Sequence, residues 1–167
     1  TRTVQTALYH FMRGAAYAGQ GKVTDAVREQ QALAAATARV AEDVMVGATN
    51  TGRAVLAVAA ADLEGRIASA RGDTAATVAA FTSAVAAEDR LNYNEPPDWD
   101  LPAREFLGGA YLMAGEKAEA EKVFRAELKK HPRNGRALFG LAKSLNANDA
   151  KQVEAEFQKA WADADTK

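Results

Sequence analysis

Apolar residues along this chain recur at helical rather than strand spacing. In the last segment Val153, Phe157 and Trp161 stand four apart and form a single stripe. Near the start Leu8, Phe11, Met12 and Tyr17 supply another apolar edge. Few segments show the β-branched and aromatic alternation of a half-buried strand. The pattern predicts an all-α chain of about eight antiparallel helices, paired as hairpins near 3–45, 52–90, 101–131 and 134–165.

Glycines punctuate the pattern regularly. Gly14, Gly65 and Gly108 each lie inside an apolar helix, and Gly21, Gly72 and Gly115 follow seven residues later. A glycine inside a helix costs about 1 kcal/mol relative to alanine, so its recurrence implies close backbone approach. The second glycine of each set fits the helix C′ position, where a left-handed residue reverses the chain. Each set predicts a helix–turn–helix.

Residues 104–132 read Arg104-x2-Leu107-Gly108-x2-Tyr111, then Ala120-x3-Phe124, then Pro132. This resembles the tetratricopeptide repeat, with Arg104 in place of the leading tryptophan. The first hairpin resembles it through Gly14, Tyr17, Gly21 and Ala26, with Gln30 where a phenylalanine belongs. The second keeps Gly65, Gly72, Phe81 and Ala84 and has Ala68 for the tyrosine; the fourth retains Leu141, Ala142, Leu145, Asn148, Phe157 and Ala160. The resemblance implies one helical-repeat domain over 1–167, a right-handed α-α superhelix of about four hairpins. A narrower resemblance links residues 88–145 to the C-terminal part of a group of large bacterial proteins of unsettled function. With a first residue other than methionine, it makes the chain an expected C-terminal module of a longer protein.

The repeat period is uneven. Gly108 and Ala142 are 34 residues apart, but Gly65 to Gly108 spans 43 and Gly14 to Gly65 spans 51. The first excess falls in RLNYNEPPDW, residues 90–99, where Pro96 and Pro97 end a helix. A long loop over 90–100 is predicted, with the next helix starting near Asp100 and Pro102 in its first turn. The second excess falls around 35–52 and reads as a lengthened second helix followed by a polar turn.

Composition narrows the function classes. Alanine supplies 40 of 167 residues, which suits helices that approach closely. A net charge of −1 with no Lys/Arg block argues against nucleic acid. No run of 18 apolar residues exists for membrane insertion, and the absence of cysteine removes disulfides and thiolate chemistry. Cytoplasm and periplasm both remain open as compartments.

The motifs of common catalysts are missing: no GxSxG, no GxxxxGK[ST], no strand-linked GxGxxG, and no HExxH or His-x3-His. His10 and His131 lie in different repeats, and Glu88 and Asp89 are adjacent on a helix rather than paired. No enzyme activity, cofactor or metal is expected.

Two places can hold a partner. In the tetratricopeptide family the first helix of each hairpin lines a peptide-binding face. Carried over, that face implies Phe11, Asp62, Arg66, Glu105, Leu112, Met113, Phe139 and Lys143. The family's chaperone-tail binders use a Lys/Asn/Arg carboxylate clamp, and Phe11, Ala15, Asp62, Glu105 and Gly109 at those positions do not support it. The other place is the loop, where Tyr93, Glu95 and Trp99 form a polar-aromatic lip, or Tyr93 and Trp99 fold back as plugs over the gap between the second and third hairpins. The expected function is a non-catalytic scaffold for an unidentified protein or peptide, with self-association through exposed terminal repeats. The alternatives are a structural module packed on another domain of the same protein, or a small-molecule or metal site at 88–99.

Overall fold

The structure is a computed structural model and describes residues 2–164. Among the described residues it forms eight helices: α1 (Arg2–Gly19), α2 (Val23–Ala38), α3 (Gly52–Ala70), α4 (Thr74–Glu88), α5 (Ala103–Met113), α6 (Lys117–Lys130), α7 (Gly135–Ser144) and α8 (Ala147–Ala160). The protein is all-α apart from one antiparallel pair of two-residue strands, β1 (Met45–Val46) and β2 (Asn50–Thr51). It divides into two compact units, the first ending at Ala103 and the second beginning at Arg104.

Three hairpin turns close identically, as the glycine spacing predicts. The N–H of Lys22 donates to Tyr17 O, that of Asp73 to Ala68 O and that of Glu116 to Tyr111 O, at 2.9, 3.0 and 2.9 Å. The preceding Gly21, Gly72 and Gly115 carry φ of 72°, 74° and 78°, which a side chain disfavours. The fourth turn needs no glycine, because Asn146 caps α8 directly by accepting from the N–H groups of Asn148 and Asp149. Thr51, Asp73 and Asn134 cap α3, α4 and α7 in the same way.

In the first unit Leu33, Leu56, Leu63 and Val40 are fully buried, and Phe11 and Ile67 join their cluster. In the second, Phe124, Leu141, Ala120 and Ala137 form the core under Tyr111, Leu112, Leu128 and Val153. Alanines such as Ala7, Ala26, Ala59, Ala120 and Ala137 stand among these larger side chains and let the helices approach closely.

The structure corrects the first predicted connection, and in the second it keeps the long loop over 90–100 but moves the start of the next helix. The second helix is not lengthened: α2 stops at Ala38, and residues 39–51 make turns and the β pair. Val40 turns fully into the core and Val44 and Val46 pack partly buried on the same cluster, which favours extended chain over another helical turn. Helix α5 starts at Ala103 rather than near Asp100, and Pro102 precedes it. The Ala103 N–H is satisfied by Glu88 Oε2 at 2.9 Å, so the carboxylate that ends α4 does the capping expected of Asp100.

Candidate functional site

The two insertions that break the repeat period meet in the first unit. In an antiparallel hairpin the start of α3 and the end of α4 lie at the same end, so residues 39–51 and 89–102 are neighbours. Asn50, 3% exposed, joins them. Its Oδ1 accepts the Asn92 N–H at 2.7 Å, while its Nδ2 donates to Asn92 O at 2.9 Å and to Asp98 Oδ2 at 2.8 Å. Asn92 Nδ2 returns a bond to Thr49 O at 3.0 Å, and Asn94 Nδ2 donates to Asp98 Oδ1 at 3.1 Å. Gly47, with φ of 63°, lets the β turn approach; a Cβ there would collide with Asn94 and Asp98.

The loop residues predicted as contacts part company. Trp99 is half-buried, its ring centroid 5.2 Å from that of Phe11, and its indole N–H donates to Leu101 O at 2.7 Å. Its partner is therefore Phe11 on α1 of the first hairpin rather than an open polar lip. Tyr93 stays 80% exposed, its hydroxyl donating to Glu95, and that hydrogen bond pushes the Tyr93 pKa upward. Among the described residues no three His, Cys, Asp or Glu side chains converge on a metal-sized space.

The groove residues divide between the units. In the first, Phe11 is 5% exposed beneath Trp99, so it is not the accessible anchor expected of it. Asp62 is buried and accepts two bonds from Arg66, Nε–Oδ1 at 2.8 Å and Nη2–Oδ2 at 3.2 Å. Burial pushes the Asp62 carboxyl up, and Arg66 opposes that shift only in part. In the second unit Glu105 accepts from Asn134 Nδ2 at 2.7 Å and lies 3.5 Å from Arg136, which spends it on the α6–α7 turn. Leu112 packs partly buried on the core. Met113, Phe139 and Lys143 are exposed, with the Lys143 ammonium 5.2 Å from the centre of the Phe139 ring. Behind Phe139 the rings of Phe157 and Trp161 follow at 5.6 and 5.7 Å, so the C-terminal stripe is covered by its own aromatics.

Sequence reasoning missed three things: the Asn50 clamp, the capping role of Glu88, and the pairing of both histidines with buried glutamates. His10 Nδ1 lies 2.7 Å from Glu29 and His131 Nδ1 2.6 Å from Glu127, the latter 1% exposed. The clamp had a signal, since both insertions flank the same hairpin. On α1, Arg13 donates to the hydroxyls of Tyr9 and Tyr17, and these bonds raise its pKa.

Antiparallel hairpins closed by the same glycine turn define a helical-repeat protein. Residues 101–144 match the tetratricopeptide repeat family model, which makes that segment similar to one such repeat. In comparison with curated proteins and with solved structures, nothing matches. Among the described residues no helix is long and apolar enough to cross a membrane.

Proposed function

We propose that the protein is a non-catalytic scaffold that binds a protein or peptide partner on the first helices of its hairpins. The observation that carries this is the exposed trio Met113, Phe139 and Lys143 on α5 and α7, within the segment matching the family. Phe139 is 50% and Met113 66% exposed, an apolar outlay that solvent alone does not reward. Lys143 beside the Phe139 ring adds a cation for an acidic or carbonyl group of the partner. Rigid helices present these groups without an ordering cost on binding.

The test is selection of peptides from a displayed library on the purified chain, followed by calorimetric titration of those enriched. The Met113→Ala/Phe139→Ala variant should bind them at least about tenfold more weakly, a loss typical of truncated anchors, with unchanged helicity. Equal binding by parent and variant would remove the reading. A second reading, a structural module docked on another domain of the same protein, draws on Tyr9 and Met12, 50% and 60% exposed on α1. Under it, no free peptide enriches.

A further inference from the structure

We infer that Met113 is a reversible oxidation site on the partner-binding face, and that its conversion to the sulfoxide by a peroxide releases the partner while the fold stays intact. The inference rests on the protein-binding reading and assigns that face its regulation.

Three observations carry it. The chain has three methionines and no cysteine, so thioethers are its only sulfur and no thiolate competes for an oxidant. Methionine is among the residues most often fully buried, yet Met12, Met45 and Met113 are 60, 46 and 66% exposed. The buried clusters of both units are built instead from Ala, Val, Leu, Ile and Phe. Sulfoxide formation inside a core disrupts its packing; here it leaves both cores untouched. Finally, Met113 is the most exposed of the three and the one that stands in the trio with Phe139 and Lys143, at the end of α5. Its neighbour Leu112 packs on the core and anchors that helix end, while the Met113 side chain is left to solvent.

The thioether sulfur attacks one oxygen of hydrogen peroxide. The O–O bond breaks, a sulfur–oxygen bond forms and the second oxygen leaves as water, so sulfur is oxidised by the electron pair that reduces the peroxide. The product is polar and chiral where the thioether was apolar and flexible, and burying it under a partner carries a desolvation cost that the thioether did not. Phe139 and Lys143 are unchanged by the step. A thiol-dependent methionine sulfoxide reductase reverses it, the oxygen leaving as water while a pair of thiols becomes a disulfide.

The test uses the whole 167-residue chain, hydrogen peroxide as oxidant, and the tightest peptide free of methionine and cysteine from the displayed library. Peptide mapping by mass spectrometry should show Met113 oxidised within about tenfold of the rate of an unstructured methionine peptide, with the thermal midpoint of the chain unchanged. Peroxide is then removed with catalase. Calorimetry on a Met12→Leu/Met45→Leu chain should show binding weakened at least about tenfold by oxidation, as for a truncated anchor, and restored by the reductases for the two sulfoxide epimers. The Met113→Leu chain, whatever its own affinity, should be unmoved by peroxide. A protected Met113, a fall in thermal midpoint, or an equal loss of binding in the Met113→Leu chain would overturn the inference. Peptides that bind the reduced chain and ignore its oxidation remove the switch alone, whereas a library from which nothing enriches removes the scaffold reading and the switch together.

Discussion

Gly108 and Gly109 are neighbours on α5, and alanine should act on them with opposite sign. An added Cβ at Gly108 would lie 2.5, 2.6 and 2.8 Å from atoms of the Phe124 ring. At Gly109 it would meet nothing within 4 Å. Phe124 is 3% exposed, and its far side presses on Gly140 of α7, where a Cβ would also collide with the ring. The ring sits in a slot between two glycines and cannot retreat. Helix propensity favours Ala over Gly by about 1 kcal/mol at either site. Gly109→Ala should therefore stabilise by about 0.5–1 kcal/mol. Gly108→Ala adds overpacking of about 1–3 kcal/mol, so its net effect is destabilising by up to about 2 kcal/mol. The propensity gain is common to both, so the difference between the variants isolates the steric cost. Urea midpoints followed by ellipticity give that difference. A Phe124→Leu background should shrink the Gly108→Ala penalty, because the clashing ring atoms are gone. Equal shifts of the two variants in one direction, or a penalty untouched by Phe124→Leu, would refute the slot.

Asn50→Ala should cost about 1–3 kcal/mol through the stranded loop groups, and amide exchange at Asn92 should speed up while the α3 interior keeps its protection. His131→Ala removes one partner of Glu127, which is 1% exposed and also accepts from Asn134 Nδ2 at 3.1 Å. It should cost about 1–3 kcal/mol in thermal unfolding, whereas Lys122→Ala, in an exposed pair with Glu119, should leave stability unchanged. Asp62 holds its proton more tightly folded than unfolded, because burial raises its pKa. Its contribution is therefore fully present below the ordinary carboxylate range and is lost as pH rises through the raised value. Asp62→Asn should flatten the fall in stability above pH about 4, measured as urea midpoints across pH, and an unchanged slope would count against the assignment.

How much of this was legible in the sequence depends on how local the cause is. The left-handed turns at Gly21, Gly72 and Gly115 follow from one residue's freedom and the helix before it, so spacing alone located them. Helices rich in alanine, and a third hairpin carrying the family's own residues, likewise needed no tertiary information. The prolines at 96 and 97 placed the break after α4 for the same reason.

Tertiary structure decided what the two irregular connections do. Asn50 and Asn92 are 42 residues apart, and only the antiparallel packing of α3 on α4 brings them within hydrogen-bond distance. Phe11 is an apolar residue on a first helix, equally suited to a groove or a core; the docking of Trp99 made it core. Asp62 and Glu105 likewise look like surface charges in sequence and are spent on Arg66 and Asn134 in the fold. Periodicity states which face a residue shares, but accessibility depends on what distant chain comes to lie on that face. A loop held by an amide clamp and one ring carries no periodic signal that would announce it.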